Sequence, residues 1–134
     1  MLRRTFLAGL SAAAAVAALP AHAATDFVDY TPGVIEDALA AGRTVFVDYS
    51  AVWCLTCRTQ ARVISRLKEA NPAYAKAMLF VRVDWDDYGD QPVARDRNIP
   101  RRSTLLVLRG KRELGRIVAG TSEEEIKALL DKGL

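Results

Sequence analysis

The sequence predicts an α/β sandwich, a mixed β-sheet with helices on both faces, and three observations carry that reading. Apolar, β-branched runs of strand length alternate with segments whose apolar residues recur at helical period. The last two strand runs are separated only by Arg109-Gly110-Lys111, so a sheet that opens with parallel strands closes on an antiparallel hairpin. The 134 residues, 51% hydrophobic and 26% charged, make one small globular domain and leave no room for several.

Each element has its own signal. Phe27-Val28-Asp29-Tyr30 is a short strand, and Thr31-Pro32 is expected to cap a helix whose Val34, Ile35, Ala38 and Leu39 share a face and which Gly42 ends. Thr44-Val45-Phe46-Val47-Asp48-Tyr49 is nearly continuous in apolar character, as a central strand covered on both faces should be. A helix follows from about Cys54 to Ala70, with Val63, Ile64 and Leu67 inward, and Asn71-Pro72 interrupts it. Residues 73–78 resume helix, Leu79 to Asp84 is a strand, and Pro92 to Arg97 is a short helix. The hairpin comprises Thr104 to Leu108 and Glu113 to Val118. Ser122 with Glu125 forms a capping box for a last helix that packs Ile126, Leu129 and Leu130 inward and stops at Gly133.

The N-terminus reads as a cleavable export signal, residues 1–23, ahead of a domain of residues 24–134. Arg3-Arg4 precedes an uncharged, Ala-rich stretch, and Ala21-His22-Ala23 supplies an A-x-A cleavage pattern. The apolar run falls short of the roughly 20 residues that span a bilayer. Arg3-Arg4-Thr5-Phe6-Leu7 resembles a twin-arginine signal, with Leu2 where Ser or Thr is usual, so both export routes stay open. The expected location is outside the cytoplasm, in a bacterial periplasm.

Cleavage would remove His22, the single histidine, and with it Ser-His-Asp and Cys-His catalysis and histidine-based metal sites. Setting Arg3 and Arg4 aside also lowers the formal net charge from +3 to +1, too little for a nucleic-acid footprint. The chemistry then rests on Trp53-Cys54-Leu55-Thr56-Cys57, directly after the central strand and at the start of a helix. Two cysteines three apart in a first helical turn can bring their sulfurs together, and the free N–H groups and dipole there stabilise a thiolate. Cys54 is expected to be the more exposed, attacking sulfur and Cys57 the buried, resolving one. A structural disulfide closing so short a loop removes little unfolded-state entropy. Half of a zinc site would need two further ligands that residues 24–134 do not offer as Cys or His.

The segment Val47-Asp48-Tyr49-Ser50-Ala51-Val52-Trp53-Cys54-Leu55-Thr56-Cys57-Arg58 resembles the active site of the thioredoxin family, and especially its exported reductase domains of the DsbD C-terminal type. The resemblance runs over essentially all of 27–134 and implies the thioredoxin fold. It makes Asp48 a buried carboxylate beneath the cysteines that moves the proton of the resolving thiol, which suits a carboxylate placed in an apolar strand. It makes Trp53 a shield over the sulfur pair and Arg82 the cation that tempers Asp48. The family places a cis-proline against the cysteines just before the strand that begins here at Thr104, and Ser103 stands in that place, expected in a trans peptide. Trp53, Arg82, Ser103 and Thr104 are therefore the residues expected to support Cys54, Cys57 and Asp48.

These readings imply an exported thiol–disulfide oxidoreductase that acts as a monomer without cofactor or metal and reduces exported proteins carrying cysteines or disulfides. Leu55-Thr56 puts no charge between the cysteines, which favours the reducing direction. A reductant in an oxidising compartment needs recharging, and a membrane electron donor of the DsbD or CcdA type is the expected partner. The alternative is a non-enzymatic module on the same scaffold: a dimer binding a metal or cluster, or an assembly chaperone.

Overall fold

The computed structural model describes residues 27–134, and the expected leader lies outside the described residues. Five strands form one sheet in the order β1-β3-β2-β4-β5: β1 Val28–Asp29, β2 Thr44–Ser50, β3 Met78–Asp84, β4 Thr104–Arg109 and β5 Arg112–Val118. β1 and β2 run parallel to β3, whereas β4 is antiparallel to both β2 and β5. The central place of β2 follows from its sequence, since six of its seven residues are buried.

Helices cover both faces. On one lie α2 (Leu55–Ala70), α3 (Ala73–Ala77) and α6 (Glu123–Asp131), which close Val63, Ile64, Leu67, Tyr74, Ile126 and Leu130 over Phe46, Phe80, Leu105 and Val107. On the other, α1 (Val34–Ala40) and α5 (Pro92–Arg95) bring Ile35, Val93 and Ala94 against Val45, Val47, Tyr49, Val81 and Leu106. Alternate residues of β2 thus enter different cores, as the two-residue pleat requires. Asp48 falls on the same face as Phe46, the face beneath α2.

The element order matches the sequence reading, with local corrections. Thr31-Pro32 does not cap α1: Gly33, at φ 97°, is the N-cap, because only a residue tolerant of the left-handed region makes that turn, and Val34 is the first helical residue. The segment after β3 is a short helix, α4 (Trp85–Tyr88), whose start is capped by the Asp84 side chain accepting from the Asp86 N–H at 2.9 Å. Helix α5 ends at Arg95 rather than Arg97. The capping box of α6 forms as expected, Ser122 Oγ accepting from the Glu125 N–H at 3.1 Å.

Candidate active site

Strand β2 ends at Ser50, and the chain then turns through Ala51-Val52-Trp53 so that Cys54 becomes the N-cap of the 16-residue helix α2. Its sulfur accepts a hydrogen bond from the Cys57 N–H at 3.2 Å, taking one of the donors that a helix start leaves unpaired. Both cysteines are free thiols. Both are also buried, at 3% and 2% exposure, so Cys54 is scarcely more open than Cys57. The cover over them comes from Ala51 and from Trp85, the first residue of α4.

Burial alone pushes the Cys54 thiol up. Hydrogen bonds from Cys57, from the Ser103 hydroxyl, from the Cys57 backbone and from Arg102 outweigh it and bring Cys54 down to about 7 from the usual 9.0.

Trp53 does not take the shielding place expected of it. Its ring is 54% exposed, donates from Nε1 to the Asp86 carboxylate at 3.0 Å, and carries the Arg102 guanidinium 4.4 Å above its centroid. The tryptophan is thus held open beside Cys54, flanked by Val52 and Leu55, which are 79% and 75% exposed.

Ser103 is fully buried, with its hydroxyl 3.2 Å from Cys54 Sγ and 3.0 Å from Cys57 Sγ. No peptide bond among the described residues is cis. Thr104 is buried beside it and donates from Oγ1 to the Arg101 carbonyl at 2.7 Å, closing the turn that leads into β4. Gln60, fully buried on α2, donates from Nε2 to the carbonyls of Ser103 and Gly120 at 3.0 and 2.9 Å.

Asp48 is completely buried, and among the described residues neither carboxylate oxygen has a hydrogen-bond partner. Burial raises its carboxyl to about 6 from the ordinary 3.8, against the pull of Arg82. Arg82 is its register partner on β3, with Nε 3.8 Å from Oδ2. That guanidinium is partly solvated and also lies 4.3 Å from the centre of the Phe27 ring, so it tempers the buried charge without neutralising it. A recess of about 500 Å³ is lined by Cys57, Ala61 and Arg82, together with Ser50, Asp84 and Tyr88. Among the described residues no three His, Cys, Asp or Glu side chains converge as a metal site.

The structure therefore gathers Cys54, Cys57, Ser103 and Thr104 at the junction of β2, α2 and β4, pairs Asp48 with Arg82 on the sheet below, and leaves Trp53 at the rim. Gln60, Trp85 and Arg102 are the site residues that sequence reading missed. A glutamine three residues after Cys57, within the inward stripe of α2, was the available signal for Gln60.

A family model described as thioredoxin-like matches residues 26–108. The chain belongs to the thioredoxin-like family. It is 30% identical to thioredoxin-1 of Saccharomyces cerevisiae over 97 residues, 72% of this chain and 87% of that protein. Among solved structures it resembles Trxlp of Edwardsiella tarda with a TM-score of 0.65 and 26% identity, over 75% of this chain and 96% of the other. It resembles Schistosoma mansoni thioredoxin with a TM-score of 0.63 and 26% identity, over 81% and 96%. The fold is the thioredoxin fold, and with its Cys-X-X-Cys pair the chain is a thiol–disulfide oxidoreductase.

The buried carboxyl makes stability depend on pH. Because folding raises the Asp48 pKa, the folded protein holds its proton where the unfolded chain has lost it, so the Asp48 contribution falls as pH rises from about 4 to about 6. Asp48→Asn should stabilise the fold near neutral pH by on the order of 2 kcal/mol, with the gain vanishing below about pH 4. Urea unfolding at both pH values reads this directly, and an equal effect at the two would contradict it.

Proposed function

We propose that this thioredoxin-like chain is an exported reductant of disulfides in other exported proteins, closest in role to reductase domains of the DsbD C-terminal type. The observation that carries the direction is that the donors on Cys54 come from Cys57, Ser103 and Arg102, with no charged side chain between the cysteines, and they bring its thiol only to about 7. That value lies with thioredoxin, at about 7, and far from the value of about 3.5 in a strongly oxidising member. A weakly stabilised thiolate leaves the dithiol form less favoured and the pair more reducing.

Cys54, as thiolate, attacks a substrate disulfide and forms a mixed disulfide, and the displaced substrate thiolate takes a proton from water. Cys57 loses its proton and attacks Cys54 Sγ. The Cys54–Cys57 disulfide closes, the second substrate thiolate leaves, and two electrons have passed to the substrate. Asp48, on the face beneath α2, supplies a carboxyl titrating near 6 to take up and release the proton of the resolving thiol. The exposed rim of Val52, Trp53 and Leu55 offers an apolar landing area around the reacting sulfur.

Export rests on the leader pattern of residues 1–23, and an oxidising compartment then requires a membrane electron donor of the DsbD or CcdA type to return the pair to its dithiol form. Recovered from the cells that make it, the protein should carry a mature N-terminus at Ala24; an intact, uncleaved chain in the cytoplasm would overturn the export reading. Thiol trapping in defined redox buffers should place the potential of the pair near or below roughly −230 mV. A value above about −150 mV would make the protein an oxidant.

A further inference from the structure

A single buried hydroxyl faces both sulfurs of the redox pair. Ser103 Oγ stands 3.2 Å from Cys54 Sγ and 3.0 Å from Cys57 Sγ, with the residue fully buried. The backbone fixes it there. Ser103 adopts φ 61°, its N–H donates to the Tyr49 carbonyl at 2.7 Å, and its own carbonyl accepts from the Ala119 N–H at 2.8 Å and from Gln60 Nε2 at 3.0 Å. The left-handed region costs a non-glycine residue on the order of 1 kcal/mol, so the turn by itself would be better served by glycine. What the serine adds is its hydroxyl.

We propose that Ser103 is a catalytic residue whose single hydroxyl hydrogen serves the two sulfurs in turn, holding the Cys54 thiolate during attack and the Cys57 thiolate during resolution. The inference deepens the redox reading above and rests on it. A hydroxyl has one hydrogen to donate and lone pairs to accept with. While Cys54 carries the charge, the Ser103 hydrogen points to it and the Cys57 thiol can donate to Ser103 Oγ. This keeps the proton on Cys57 and the charge on Cys54.

Once Cys54 Sγ is bonded to a substrate sulfur it is neutral and a poor acceptor. The Ser103 hydrogen is then released to Cys57, 3.0 Å away, and favours loss of the Cys57 proton, which Asp48 takes up, when that thiol must attack. Cys57 then bonds to Cys54, the bond from Cys54 to the substrate sulfur breaks, and the departing thiolate is protonated by water. The other groups acting on Cys54 are the Cys57 thiol, the Cys57 backbone N–H and the Arg102 guanidinium. All three are left in place when the hydroxyl is removed, so the shift its loss causes reads the contribution of Ser103 above theirs.

The test is stopped-flow reaction of the fully reduced protein with the aromatic disulfide dithiobis(nitrobenzoate). One thionitrobenzoate is released on attack by Cys54 and a second on resolution by Cys57. Ser103→Gly removes the hydroxyl while easing the positive φ, so it should fold at least as well as the parent. It should slow both phases roughly tenfold near neutral pH and move the pH midpoint of the first phase up by about one unit. Ser103→Thr, which restores a hydroxyl, should recover most of both rates. A Ser103→Gly protein within twofold of the parent in either phase, or slower with an unmoved midpoint, overturns the assignment to Ser103 alone. A parent protein that releases only one thionitrobenzoate overturns the redox reading and this inference together.

Discussion

One main-chain hydrogen bond, from the Ser103 N–H to the Tyr49 carbonyl at 2.7 Å, holds the two halves of the site together. It continues the antiparallel register of β2 and β4, in which Tyr49 faces Thr104, one residue beyond the ladder. The end of β2 delivers the turn that makes Cys54 the N-cap of α2, and the start of β4 delivers the Ser103 hydroxyl. A slip of one residue would turn Ser103 away from the sulfurs and exchange the two buried faces of β4 between the cores. Leu105 and Val107 pack under α2 and α6 while Leu106 and Leu108 pack in the opposite core, and this side-chain fit holds the register. Gln60 braces the same point from α2 by binding the Ser103 and Gly120 carbonyls.

The electrostatics of the site are a balance of burial against local donors. Cys54 and Asp48 are both buried, yet they move in opposite directions. Around Cys54, hydrogen bonds from Ser103, Arg102 and Cys57 overcome burial, and the thiol is brought down. Around Asp48 the described residues offer a half-solvated guanidinium at 3.8 Å and no hydrogen bond, and burial wins. A nucleophile that ionises near neutral pH and a carboxyl that protonates just below it are what a dithiol exchange uses. The cost is carried by the stability of the fold around Asp48.

Much of this was legible in the sequence because it depends on patterns of neighbouring residues. Continuous burial marked β2, helical period marked α2 and α6, and the strand-to-helix position of Cys54-Leu55-Thr56-Cys57 marked the reacting groups. The pairing of Asp48 with Arg82 followed from the resemblance and appears in the register of β2 and β3. What the sequence hid depends on loops meeting in space. The two tryptophans near the motif end on opposite sides of it, because α4 turns Trp85 inward over the sulfurs while Asp86 holds Trp53 outward. Arg102 is brought to the site by the turn before β4, which stacks it on Trp53 beside Cys54. Ser103 read as a missing proline. Only the left-handed turn shows that its side chain reaches both sulfurs.

The central claim is a division of labour in which Cys54 attacks and Cys57 resolves. Incubating Cys57→Ser and Cys54→Ser variants with insulin, and resolving the products by non-reducing electrophoresis and mass spectrometry, tests it most directly. The account predicts a persistent mixed disulfide through Cys54 in the Cys57→Ser protein and little or none in the Cys54→Ser protein. Equal trapping by the two variants, or none by either, would contradict it.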